Sequence, residues 1–145
     1  MKKTFLSFAL FTLLAGGVSA QVANVNPRPQ TVNSTGKLFT APKEWRVYST
    51  YALATSYAMD ALEEIGVARA KGGRGTFRVT LGLTTDKENA KYRQLVPNHP
   101  DAYYLSVTQK EVVIIGRDER GLYYGVQTLR EMMAKGQMEI CTVQD

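Results

Sequence analysis

The sequence predicts an α+β fold, one mixed β-sheet with two helices packed on one of its faces. Three observations carry that expectation. Between 101 and 133, two short apolar runs, 102–107 and 112–115, flank a polar turn and lead straight into a helical pattern. A second helical pattern, from Ala54 to Ile65, stands between two strand-like stretches. No internal repeat or low-complexity tract interrupts them. Helices set between strands that are mostly joined by hairpins place both helices on one side of a single sheet.

The first 20 residues stand apart from that fold. Lys2 and Lys3 precede an apolar run, Phe5 to Leu14, which is too short to span a bilayer. Val18-Ser19-Ala20 offers the small residues that a signal peptidase reads. Residues 1–20 are therefore expected to be a signal peptide cleaved between Ala20 and Gln21, sending the chain to the periplasm or the outside. Cleavage leaves 125 of the 145 residues and removes two lysines, so the formal charge falls from +5 to +3. That is a weak basis for binding nucleic acid, which needs a clustered basic face. No second apolar segment follows, so no membrane association is expected once the signal is gone. A hydrophobic fraction of 44% is that of a globular chain. The single Cys141 has no internal disulfide partner, and the fold must rest on its core.

In chain order, residues 21–29 predict an extended, poorly ordered lead-in with two prolines. Gln30 to Thr40 suggests a small hairpin around Ser34-Thr35-Gly36, and Glu44 to Tyr48 a short strand with Trp45 and Val47 on one face. Ser49 or Thr50 is placed to cap the first helix. In that helix Ala54, Tyr57, Ala58, Ala61, Leu62 and Ile65 form a stripe, and Gly66 ends it. The loop Lys71-Gly72-Gly73-Arg74-Gly75 follows. Phe77, Val79, Leu81 and Leu83 alternate with Arg78, Thr80 and Gly82, the period of a half-buried strand. Thr84 to Pro100 is polar, with one helical turn around Asp86 to Arg93. Tyr103, Leu105 and Val107 alternate in the next strand. Val112 to Ile115 is continuous and β-branched, as in a strand covered on both faces. Leu122, Val126, Leu129 and Met133 make one stripe on the second helix, which Gly136 stops. The domain is thus expected at 30–136, with 137–145 starting a strand or linker.

Asp118-Glu119 is an acidic pair suited to acid and base work on a glycoside. It also falls where a helix begins, so Asp118 is better explained as an N-cap and Glu119 as a first-turn carboxylate facing the helix dipole. His99, between Asn98 and Pro100, belongs to a solvated loop, and Cys141 to a strand. One His and one Cys at no metal-binding spacing give no zinc site. The glycine loop lacks the Lys-Ser/Thr of a phosphate cradle. Tyr104 and Tyr123 are candidates for stacking on a sugar, although neighbouring tyrosines point different ways. Gly121 and Gly125, one turn apart, imply close approach of helix to sheet, because each costs about 1 kcal/mol of helix propensity. The residues themselves thus indicate no catalytic site, no metal and no cofactor.

The segments Tyr103-x-Leu105-x-Val107 and Val113-x-Ile115-x-x-Asp118-x-x-Gly121-Leu122-Tyr123-Tyr124-Gly125-Val126-Gln127-Thr128-Leu129 carry a resemblance. Together they resemble the N-terminal domain that precedes the catalytic barrel in bacterial β-N-acetylhexosaminidases of glycoside hydrolase families 20 and 84. Weaker similarity extends back through Phe77–Leu83 and the first helix to about Pro29. Glu139-Ile140-x-Thr142-Val143-x-Asp145 looks like the segment leading into the barrel, and with the wording around Tyr123 and Tyr124 it leans toward the hyaluronidase and O-GlcNAcase-like family 84, with family 20 close behind. The resemblance implies a zincin-like α+β accessory domain. Its parent would be a retaining hexosaminidase, in which the substrate's acetamido group is the nucleophile and two acids of the barrel assist. Those acids have no counterpart here, and Asp118, Gly121, Tyr124, Gly125, Gln127, Thr128 and Leu129 belong to the accessory domain's own structural motif.

The leading expectation is therefore an exported, non-catalytic accessory domain that partners a catalytic barrel, in a protein that acts on amino-sugar polysaccharide. The alternative is a free-standing exported module that binds carbohydrate or protein, and a prodomain-type inhibitor is a third. An accessory domain should expose an apolar patch, expected near Met132, Met133 and Ile140. The turn at Gln109-Lys110-Glu111 lacks the glycine usual in a tight hairpin.

Overall fold

A computed structural model describes residues 25–64, 68–69, 77–133 and 136–145. The expected signal segment with Ala20 and Gln21, the stop at Gly66 and the glycine loop at 71–75 lie outside these residues. The strands are β1 (Thr31–Thr40), β2 (Glu44–Tyr48), β3 (Ala68–Arg69), β4 (Phe77–Leu83), β5 (Tyr103–Val107), β6 (Glu111–Gly116) and β7 (Gln137–Gln144). Helix α1 spans Ala52–Glu64 and α2 spans Glu119–Met132. The strands form one mixed sheet in the order β1-β7-β5-β6-β4-β2-β3. Pairing is antiparallel from β1 to β6 and parallel from β6 to β3. This is the expected α+β architecture, with both helices on one face.

Strand alternation places the core. Phe77, Val79 and Leu81 of β4, Tyr103, Leu105 and Val107 of β5, and Val112 and Ile114 of β6 face the helices. There they meet Ala54, Ala58, Ala61 and Leu62 of α1 and Leu122, Val126, Leu129 and Met132 of α2. Val113 and Ile115 face the other way, onto Val96, Ala102, Tyr92 and Tyr104. The polar 84–102 segment thus lids β6 from behind, which is why its apolar run is continuous. Asp86 anchors that segment. Its carboxylate accepts the Leu83 N–H and the Tyr51 hydroxyl, both at 2.8 Å, and the Asn89 amide at 3.1 Å. Burial first, and the adjoining carboxylate second, push the Tyr51 hydroxyl up to about 12. The expected helical turn is a 3-10 turn at Lys87–Tyr92.

Two local expectations give way. Residues 31–40 are one strand, not a hairpin. Gly36, at φ +69°, takes up a register shift between Ser34 and Leu38, and the whole stretch pairs with β7. The strand expected from Gln137 onward forms, and it lies inside the sheet between β1 and β5. From Val25 onward the lead-in is fastened: Val25 is buried in the core, the Asn26 N–H donates to Glu131 and the Gln30 N–H to Asp145. Ser49 takes the Tyr51 N–H on its hydroxyl at 3.0 Å, just ahead of α1. At the β5–β6 turn Thr108 replaces the missing glycine. Its hydroxyl oxygen accepts the Lys110 and Glu111 N–H groups, and the Thr108 N–H donates to the Glu111 carbonyl.

Candidate functional site: the outer face of the two helices

The start of α2 fixes the geometry of this face. Asp118 is the N-cap, accepting the Gly121 N–H at 2.9 Å on Oδ1 and the Asp101 N–H at 2.9 Å on Oδ2. Burial raises its carboxyl pKa, but the backbone N–H groups of Asp101, Gly121 and Arg120 outweigh that and hold it below the usual carboxylate range. Asp101 is the only non-glycine residue with positive φ, +65°, among the described residues. Asp118 is thus the helix cap, and Glu119 lies in the first turn.

The glycines bring α2 onto the sheet. A Cβ at Gly121 would stand 2.2 Å from the Ala102 carbonyl oxygen, and one at Gly125 2.4 Å from Ile114 Cγ2. This close seating sends Thr128 and Leu129 inward. The Thr128 hydroxyl pairs with the Tyr103 hydroxyl at 2.7 Å in the interior, and Leu129 joins the core. Tyr124 is turned outward and Gln127 is left at the rim of a hollow.

Two hollows flank Tyr124. One, of about 390 Å³, is lined by Leu53 and Tyr57 of α1 and by Glu119, Arg120, Tyr123 and Tyr124 of α2. The other, of about 380 Å³, lies between the 25–30 segment, the 99–101 turn and α2, with Tyr103 and Thr128 among its lining. Leu53 is 64% exposed, Tyr124 42% and Tyr57 37%. The Tyr57 and Tyr123 rings meet edge-on at 4.7 Å, and Tyr123 lies 5.9 Å from Tyr124. Arg120, held first by the Tyr124 hydroxyl and then by Asp101 at 3.0 Å, keeps its proton more tightly than usual.

The sequence-derived candidates do not converge. Tyr123 belongs to this face, whereas Tyr104 lies on the opposite side of the sheet, half-buried and stacked on Tyr92 at 6.1 Å. His99 is exposed at the rim of the second hollow, its ring nitrogen 3.0 Å from the Pro100 carbonyl. Cys141 is buried, and burial pushes its thiol up to about 12. Met132 and Met133 are not an exposed patch but core residues, and Ile140 is half-buried. The apolar surface lies instead at Leu53, Tyr57 and Tyr124. Leu53 went unremarked in the sequence, although it lies four residues before Tyr57, on the side of α1 away from Ala54 and Ala58. Among the described residues no group of three or more His, Cys, Asp or Glu side chains is placed to hold a metal ion.

The model of the glycosyl hydrolase family 20 domain called domain 2 matches residues 22–145. The chain belongs to this family. Solved structures share the fold of this family 20 domain. One is CpGH84D, with 13% identity and a TM-score of 0.68, covering 83% of this chain and 23% of that one. Another is a glycoside hydrolase family 20 β-N-acetylglucosaminidase, at 23% identity and a TM-score of 0.59, with 82% and 21% covered. The exo-β-N-acetylglucosaminidase of family 20 from Vibrio harveyi, solved with N-acetylglucosamine, matches at 16% and 0.59, with 86% and 19% covered. The chain thus spans about a fifth of the length of these proteins. Both families toward which the sequence pointed are present among them, and the family model that matches is that of family 20.

Proposed function

We propose that this chain is the accessory domain of an exported β-N-acetylhexosaminidase that acts on amino-sugar polysaccharide, and that it supports a catalytic barrel without turning over substrate itself. The observation that carries this reading is the family 20 domain 2 match across residues 22–145, together with a fold shared with β-N-acetylglucosaminidases over about a fifth of their length. Export rests on the Lys2-Lys3, Phe5–Leu14 and Ala20 pattern, which sends the chain to the periplasm or beyond. No described helix is long and apolar enough to cross a membrane.

The surface for the barrel is the outer helix face. Leu53, Tyr57 and Tyr124 expose apolar area beside Arg120 and Glu119, the mixture typical of the centre and rim of an interface between domains. Tyrosine nitration tests this placement. Tyr57 and Tyr124 react in the chain alone and are protected in a protein carrying the barrel after Asp145. Equal reactivity of both tyrosines in the two proteins would place the barrel elsewhere.

A further inference from the structure

The hollow of about 380 Å³ between the 25–30 segment and α2 carries charge that docking of a barrel does not require. Its size is that of a small-ligand pocket, about 300–1,000 Å³. Val25, Pro27, Pro100 and the rings of Tyr103 and Tyr124 give it apolar walls. Three carboxylates join them, Asp101, Glu131 and Asp145, and no Lys or Arg side chain does among the described residues. Asp101 is paired with Arg120 at 3.0 Å. Glu131 and Asp145 have no ion pair among the described residues. Each accepts one backbone N–H, Glu131 on Oε2 from Asn26 and Asp145 on Oδ1 from Gln30, and its second oxygen takes no hydrogen bond from a described residue.

Both carboxylates act on one floor. Tyr103 and Thr128 are 2% and 6% exposed, and their hydroxyls meet at 2.7 Å. Burial pushes the Tyr103 hydroxyl up to about 12, and the fields of Asp145 and Glu131 add to it. The pair holds two hydroxyl protons and its bond uses one, so a buried donor remains beside the hollow. The Gln127 carboxamide, also in the lining, makes no hydrogen bond to a described residue.

Two uncompensated carboxylates with spare acceptor oxygens favour a cation that donates N–H bonds. A quaternary ammonium has the charge without the donors and calls for an aromatic cage. A bare metal ion calls for gathered ligands, and among the described residues no group of three or more His, Cys, Asp or Glu side chains is placed to hold one. The volume also requires a body, with hydroxyls for Gln127 and the Tyr103–Thr128 pair and a C–H face for the Tyr124 ring. We propose that this hollow binds a de-N-acetylated hexosamine, its ammonium held by Glu131 and Asp145 and its ring set between Tyr124 and the Tyr103–Thr128 floor. The site goes beyond the accessory role and is tested on the chain alone, so its failure leaves the barrel contact untouched.

Titration calorimetry on the full chain, at about pH 6 where carboxylates are ionised and amines protonated, uses four probes. They are a glucosamine tetrasaccharide, its fully N-acetylated counterpart, choline and a tetralysine peptide. The glucosamine tetrasaccharide is expected to bind saturably and to weaken as salt rises. The N-acetylated sugar binds about tenfold or more weakly, and so does the amino sugar to Glu131→Gln or Asp145→Asn, each of which still accepts its backbone N–H. Glu44→Gln, which removes an exposed carboxylate from β2, leaves binding unchanged. An unchanged circular dichroism spectrum verifies the fold of each variant. The proposal is overturned if the N-acetylated sugar, choline or tetralysine matches the amino sugar, if Glu131→Gln and Asp145→Asn bind like the parent, if Glu44→Gln weakens binding as much as they do, or if no probe binds.

Discussion

Replacing Gly121 by alanine sets two effects of opposite sign against each other. On an isolated helix the change is favourable, by about 1 kcal/mol of propensity. In this fold the new Cβ would stand 2.2 Å from the Ala102 carbonyl oxygen and 2.8 Å from the Asp101 carbonyl carbon and oxygen. These obstacles are backbone atoms, so no side chain can swing aside, and α2 must retreat by about 1 Å to reach ordinary contact. Overpacking costs about 1–3 kcal/mol, and a backbone obstacle puts it at the upper end. The retreat also stretches the bond from the Gly121 N–H to Asp118 Oδ1. The net expectation is a loss of about 2 kcal/mol, lowering Tm by about 8 °C for a domain of this size. Urea and thermal unfolding followed by circular dichroism at 222 nm measure it. A variant as stable as the parent, or more so, would show that α2 does not sit so close to the 101–102 turn.

Three further expectations concern single groups. Asp118→Ala loses the cap and should cost about 1–2 kcal/mol, whereas Asp118→Asn, which still accepts the Gly121 N–H, should cost much less at neutral pH. Because the folded carboxyl is held below its ordinary value, its contribution is complete above the unfolded pKa and disappears as pH falls through the folded one. Unfolding free energies of parent and Asp118→Asn should therefore converge on acidification below about pH 4, and parallel curves would contradict the assignment. Cys141, raised to about 12 by burial, should react with a disulfide reagent at pH 8 only after unfolding. The sign of its linkage follows: the thiol stays neutral in the fold, so stability holds below the unfolded thiol pKa and declines as pH rises above about 9. Rapid labelling of the native chain would refute its burial. Tyr103→Phe leaves the buried Thr128 hydroxyl without its 2.7 Å partner and should cost about 1–2 kcal/mol in the same unfolding assay.

The parts of the fold that could be read from the sequence are those whose partners are near in the chain. β5 and β6 pair across a two-residue turn, and their alternation and β-branched run register one against the other. The stripe of α2 was clear because it packs on strands immediately before it. β1 and β7 were obscured by distance: Thr31 pairs with Gln144, and nothing within 31–40 signals that partner. Gly36 therefore suggested a tight turn where the chain makes a bulge within one long strand. The apolar surface was misplaced for a related reason. Periodicity marks an apolar stripe but not its depth, so Met132 and Met133 looked available, whereas the core closes over both.

The central proposal is that this family 20 domain supports a hexosaminidase without performing its chemistry. The most direct measurement is steady-state hydrolysis of an aryl N-acetylglucosaminide by the purified chain, with its fold verified by circular dichroism. Release of aryl alcohol is expected to be no faster than in buffer, at any chain concentration. Saturable turnover that scales with the chain and is lost in Asp118→Ala or Glu119→Ala, with the fold retained, would contradict it and return that acidic pair to catalysis.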